Sequence, residues 1–166
     1  LAARSPVGPL AARWRPAAPL AGPPVPRDRE LNTRCGRLST HYGNWAGRGA
    51  MALILVVDDH SSIRRLITLA LEDRGHVCEE AANGTEAIEC ISRNHYDAVV
   101  LDLMMPVVDG FGVLESLNGS PPSPVLVLTA TAQPGAAKEA LDAGATAVLR
   151  KPFDPDEVVL AIEALI

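Results

Sequence analysis

Aromatic residues are scarce in this chain of 166 residues: two Trp, two Tyr and two Phe make up 4% of it. That leaves little for base-stacking platforms or an aromatic substrate cleft. Cysteine is scarcer still. Cys35, Cys78 and Cys90 are odd in number and far apart, with no CxxC pair and no HxxxH companion, which excludes a disulfide framework and a zinc site. A reducing, cytoplasmic setting is therefore the default. Long apolar runs are missing too. The longest, from Ala50 to Val57, is eight residues, against roughly 20 needed to cross a bilayer, so a soluble protein without membrane insertion is expected. The length leaves room for one ordinary domain with a tail and excludes multi-domain enzymes.

Basic residues are nearly absent from most of the chain. Residues 51–166 hold seven Lys and Arg against eighteen Asp and Glu, whereas residues 1–50 hold eight Arg against only Asp28 and Glu30. Seven of the fourteen prolines also fall in those first fifty residues, where no stretch keeps a period of 2 or 3.6. The division predicts a disordered Arg/Pro/Ala-rich tail over 1–50 and one folded domain over 51–166. A transit peptide would carry more serine than Ser5 and Ser39, and Arg13 and Arg15 interrupt any secretory apolar region. Nucleic-acid contact is weakly supported, since the arginines are scattered with only Trp14 and Trp45 among them. The chain begins at Leu1, and Met51 directly precedes the first strand-like run. The tail is thus read as upstream sequence that is not made in the cell, a reading that a native protein retaining residues 1–50 by intact mass overturns.

After Met51 the pattern alternates. Short β-branched or Leu-rich runs at Leu53 to Val57, Val77 to Glu80, Ala98 to Leu101, Val125 to Leu128 and Ala147 to Leu149 are each followed by a helical period. Ile63, Leu66, Ile67, Ala70 and Leu71 mark the first helix, with Gly75 as its stop. Further helices are predicted from Gly84 to Arg93, Gly110 to Leu117 and Pro134 to Ala143. The last begins with Asp154 as N-cap, Pro155 at the first helical position and Glu157 completing a capping box, and turns Val158, Ala161, Ile162 and Leu165 inward. Five βα units of this kind make an α/β fold, a doubly wound parallel sheet with right-handed crossovers.

In such sheets ligands bind outside the carboxyl ends of the strands, where strand order reverses. The first strand ends in Asp58 and Asp59, the third runs into Asp102, the fourth ends in Thr129, and the fifth leads to Lys151 and Pro152. Three carboxylates some ~5 Å apart repel by about 3 kcal/mol per pair at an effective dielectric of ~20. Lys151 offsets one charge; hard oxygens with charge left over suit Mg²⁺, which keeps several waters and needs no full protein cage. A carboxylate beside a divalent cation is an acceptor for a phosphoryl group, and Asp102, on a central strand, is the candidate. Taken singly, an Asp at a strand end is usually a cap or solvated, and a lone Lys is usually on the surface; the argument rests on their coincidence at four strand ends.

Val56-Val57-Asp58-Asp59, the DxxMPxxDG stretch from Asp102 to Gly110, Val127-Leu128-Thr129-Ala130 and AGAxxxLxKPF from Ala143 to Phe153 together resemble the receiver domain of bacterial two-component response regulators. The resemblance covers residues 51–166. It implies a flavodoxin-like (βα)5 fold with strand order 2-1-3-4-5. It also implies phosphorylation of Asp102, Mg²⁺ held by Asp59 directly and by Asp58 largely through water, the Met104 backbone carbonyl as a further ligand, and a cis peptide before Pro152. The partners it implies are a histidine kinase or histidine phosphotransfer protein as donor, and a downstream protein bound through the fourth helix, fifth strand and fifth helix.

One position departs from the family pattern. Many receivers carry Tyr or Phe three residues before the Lys, where Val148 stands here, so the output surface is expected to shift less, or signalling to run through the loop after Thr129. Met104 and Thr131, two positions after the acceptor and after Thr129, offer no water-positioning acid or amide, which implies slow self-dephosphorylation. Met105 and Pro106 shape the loop after the acceptor, Asp109 with Gly110 opens the third helix, His60 belongs to the helix start and not to a metal, and Cys78 and Cys90 are core thiols. The expectation is thus a stand-alone signalling switch, not an enzyme of general substrates and not a DNA binder. A receiver fragment of a longer regulator or hybrid histidine kinase stands as the alternative. An Mg²⁺-dependent phosphatase with an Asp nucleophile would want a second Asp where Met104 stands, and in a flavin binder Asp58-Asp59-His60 would repel the phosphate.

Overall fold

The computed structural model describes residues 52–130 and 135–166. The chain alternates as β1 (Leu53–Val57), α1 (Ser61–Asp73), β2 (Val77–Ala81), α2 (Gly84–Arg93), β3 (Ala98–Asp102), α3 (Gly110–Ser116), β4 (Val125–Thr129), α4 (Ala136–Asp142), β5 (Ala147–Arg150) and α5 (Pro155–Glu163). The strands form one parallel sheet in the order β2-β1-β3-β4-β5, the predicted topology. The readings of residues 1–50, of Thr131 and of a helix start at Pro134 lie outside the described residues.

Each strand alternates between two cores because successive side chains point to opposite faces. Leu55, Val57, Val99, Leu101 and Val127 pack with Ala87, Cys90, Val113, Leu114 and Ala140 of α2, α3 and α4. Ile54, Val56, Val100, Leu126 and Leu128 pack with Ile67 and Leu71 of α1 and Val158, Val159 and Ile162 of α5. The path from β1 to β2 runs one way along the sheet and the path from β2 to β3 the other. Connections of one hand must then leave α1 and α2 on opposite faces, as observed.

Local chemistry sets the helix starts. The Asp154 carboxylate accepts from the Asp156 N–H at 3.0 Å and the Glu157 carboxylate accepts from the Asp154 N–H at 3.0 Å, the expected capping box. Asn83 caps α2 and Asp109 caps α3, accepting from Gly112 N–H at 2.8 Å. Leu66, placed by its spacing on the first helix's apolar stripe, is half exposed instead. Ile67, Thr68 and Leu71 fill the buried stripe, with Ile63 and Ala70 against it, and Leu66 falls at its edge. Cys78 and Cys90 are buried free thiols, and burial pushes the Cys78 thiol strongly upward. Among the described residues no helix is long and apolar enough to cross a membrane.

Candidate functional site

The strand order reverses between β1 and β3, and the polar residues gather at that end of the sheet. Asp58 directly follows β1 and is fully buried; Asp102 and Thr129 are the buried last residues of β3 and β4. Lys151 directly follows β5, joined to Pro152 by a cis peptide bond as the resemblance implied. Its ammonium nitrogen stands 2.7 Å from Asp58 Oδ2 and 2.8 Å from Asp102 Oδ2, so one cation is shared by two buried carboxylates. Burial raises the Asp102 carboxyl above its ordinary range against the pull of Lys151, and the nearby Asp58 charge adds to the rise. For Lys151, burial disfavours the charged form, yet the hydrogen bonds to Asp102 and Asp58 prevail and raise its pKa overall.

Asp59 is the more open acid. Its Oδ1 lies 2.8 Å from His60 Nδ1, which is also 3.5 Å from Asp58 Oδ1. Asp58, Asp59 and His60 each offer a ligand atom within 4.8 Å of the others. The sequence placed His60 at the helix start, and it is the N-cap residue of α1; its ring makes no cap bond and turns to the acids instead. The His60 N–H itself donates to Asp58 Oδ1 at 2.8 Å, which holds that carboxylate against the loop.

The loop after Asp102 is shaped by close approach and by strain. A Cβ on Gly110 would lie 2.5 Å from the Asp102 carbonyl oxygen, so only glycine lets α3 start against the end of β3. Gly110 N–H donates to the Leu103 carbonyl at 3.1 Å, and the Met104 N–H reaches Asp102 Oδ1 at 3.3 Å. Val108 N–H donates to the Pro106 carbonyl at 3.0 Å across Val107, whose φ is 72°. The Met104 side chain is 61% exposed two positions after Asp102, with no acid or amide in its place.

All the residues singled out at the strand ends are thus brought to one place: Asp58, Asp59, Asp102, Thr129 and Lys151, with Met104 on the adjoining loop. The sequence reading missed Arg64. This α1 side chain donates from Nη1 to the carbonyl oxygens of Asp58 at 2.7 Å and Asp59 at 3.3 Å, and its Nε reaches Glu80 Oε2 at 3.3 Å. Its helical position carried no motif; only the fold puts it under the acidic loop. The assembled donors are hard carboxylate oxygens with one ammonium between them, a set that suits a small divalent cation.

Comparison with known proteins agrees with this geometry. The profile of the response regulator receiver domain matches residues 54–163. The transcriptional regulatory protein SrrA of Staphylococcus aureus is 41% identical over 113 residues, which cover 68% of this chain and 47% of SrrA. This chain therefore spans about half the length of the curated relatives it matches. The receiver domain of the Francisella response regulator 1452 superposes with a TM-score of 0.65 at 34% identity, covering 69% of this chain and 95% of that one. The chemotaxis protein CheY4 of Vibrio cholerae superposes with a TM-score of 0.65 at 34% identity, covering 70% of this chain and all of that one. With the sheet order, the acidic end and the sequence match in agreement, the chain belongs to the response regulator receiver domain family.

Proposed function

We propose that the chain is a phosphorylation-controlled switch in which Asp102 accepts a phosphoryl group from a histidine kinase or a histidine phosphotransfer protein. The single observation that carries this reading is the Lys151 ammonium held on both Asp58 and Asp102, so that a buried acceptor and the acid beside it share one ammonium. In the transfer a carboxylate oxygen of Asp102 bonds to phosphorus as the P–N bond of the donor phosphohistidine breaks. The bonding pair returns to the imidazole nitrogen, which takes up a proton, and Asp102 becomes an acyl phosphate.

Asp58, Asp59, Asp102 and the Met104 carbonyl are the groups that would hold Mg²⁺ here, and the excess of hard carboxylate oxygens over resident cations fits that ion. When bound it neutralises charge as one anion approaches another. The chain's own part is positioning. Asp102 is kept in place by the Met104 N–H and by Lys151. The Lys151 ammonium and the Thr129 hydroxyl then receive the new phosphoryl oxygens, as befits a reaction that needs charge stabilisation more than covalent help.

The output face of this switch is formed by α4, β5 and α5. It carries the exposed Leu141 and Leu160, and β5 is the edge strand of the sheet. Val148 packs partly buried in the α2–α4 core where many family members place a ring, so the change transmitted through it is small. The reaction setting is cytoplasmic, in keeping with buried free thiols at Cys78 and Cys90. A second reading, that the chain is the receiver portion of a longer regulator, is favoured by its covering 47% of SrrA.

Treatment with acetyl phosphate, with and without Mg²⁺, tests the proposal. The parent gains about 80 Da, one phosphoryl group, in the presence of Mg²⁺, and Asp102→Asn gains none. A label on another side chain, or equal labelling without Mg²⁺, overturns it. The acyl phosphate is expected to outlast a few seconds, in line with Met104 beside the acceptor.

A further inference from the structure

Arg64 is a cation standing beneath a site whose chemistry calls for another cation. The acids around it attract it, but toward a bound divalent ion it is unfavourable, since like charges within several ångströms repel. Its surroundings explain why it is tolerated. The Arg64 side chain is only 14% exposed, and its Nε is paired with the Glu80 carboxylate of β2 at 3.3 Å. The pair is neutral as a unit, so the acidic loop receives the guanidinium's hydrogen bonds without its full charge.

Those hydrogen bonds fall on a vulnerable point. The chain leaves the sheet after Val57, and the last contact with β2 is a long one, Asp58 N–H to the Ala81 carbonyl at 3.4 Å. Beyond it, Arg64 Nη1 holds the carbonyl oxygens of both Asp58 and Asp59. Because peptide units are planar, fixing two successive carbonyls fixes the two peptide planes that flank Asp59, and with them the direction of its Cα–Cβ bond. Glu80 stands opposite Val56 in the β1–β2 register, so the clamp is anchored to the sheet and not to solvent. The planar fork of a guanidinium makes this possible, offering Nε to one partner and Nη1 to the others in fixed directions.

We infer that Arg64 is a positioning residue for the cation site: tied to Glu80, it holds the Asp58 and Asp59 carbonyls so that the Asp59 carboxylate is presented beside Asp58 for a divalent ion. This rests on the function proposed above and deepens it. Arg64 touches neither the ion nor the phosphoryl group; it acts through the backbone of the acids that do.

The sign of the effect separates positioning from charge. Removing a cation near a divalent-ion site tightens binding if only charge matters, and loosens it if the acids lose their alignment. Isothermal titration of Mg²⁺ into the full chain, parent against Arg64→Met, reads this directly, with thermal melts confirming that each protein is folded. Loss of a group that orients metal ligands typically costs about tenfold or more in affinity, so the Mg²⁺ dissociation constant is expected to rise about tenfold in Arg64→Met. Arg64→Lys keeps the charge but lacks the fork; it is expected to fall between the two, and it decides the matter if Arg64→Met does not fold. In ¹H–¹⁵N spectra the amides of Asp59 and His60 are expected to move in both variants before any Mg²⁺ is added. A dissociation constant in a folded variant at or below that of the parent overturns the inference. Failure of the parent itself to bind Mg²⁺ overturns instead the function on which it rests.

Discussion

Lys151 and Asp58, 93 positions apart in the chain, are joined by a 2.7 Å bond across the carboxyl end of the sheet. The same ammonium lies 2.8 Å from Asp102, so β1, β3 and the segment after β5 meet through one nitrogen. The bond is structural: it supplies the charge that makes two buried carboxylates tolerable in one fold.

Replacing Lys151 by Met removes that charge and leaves Asp58 and Asp102 buried together. Breaking a buried ion pair by deleting one partner costs about 3–5 kcal/mol, and the variant is expected to melt lower by that order in metal-free buffer. A divalent ion that binds only the folded state stabilises it by mass action. Millimolar Mg²⁺ is therefore expected to raise the melting temperature of Lys151→Met more than that of the parent, which scanning calorimetry with and without the ion measures.

Val107 has φ of 72° and is 98% exposed, so its side chain gains no packing for its left-handed backbone. Holding a non-glycine residue there costs about 1–2 kcal/mol, against roughly 0.5–1 kcal/mol of extra unfolded-chain entropy for glycine. Val107→Gly is expected to be more stable than the parent by up to about 1 kcal/mol in urea unfolding, with an unchanged m-value. Destabilisation would show that Val107 makes a contact in solution.

His76, between α1 and β2, has a side chain 7% exposed, with both ring nitrogens buried and without a hydrogen-bond partner among the described residues, the Glu163 carboxylate standing 4.0 Å from Nε2. Burial pulls its pKa below the ordinary value; Glu163 of α5 and Asp97 before β3 oppose this, and Arg74 at the end of α1 adds to it. The unfolded chain therefore binds the proton more readily than the folded one. Stability contributed by neutral His76 is present above its unfolded pKa of about 6.5 and falls as pH drops below it. Urea unfolding from about pH 7 to about 5.5 is expected to show a smaller loss of stability for His76→Phe than for the parent. Parallel curves would mean that His76 stays neutral, or equally protonated, in both states.

What could be read from the order of residues was whatever depends on neighbours. The five apolar runs, the helical periods, the Asp154 and Glu157 capping box and the Asp109 cap were all legible, because strand alternation, helix period and helix ends are set within a few residues. The place of the site was legible too: a parallel βα repeat puts every strand's carboxyl end on one edge, so Asp58, Asp59, Asp102, Thr129 and Lys151 had to gather there. Tertiary structure decided the rest. That the Lys151 ammonium is shared by Asp58 and Asp102, that the His60 ring turns to Asp59, that Leu66 lies at the rim of its helix stripe and that Arg64 reaches under the acidic loop are contacts between side chains or between side chain and backbone. Their geometry depends on how α1 seats against β1 and β2 and on where β5 closes the sheet. Hydrogen bonds form over about 3 Å, and a distance that short is resolved only when the packed elements fix it.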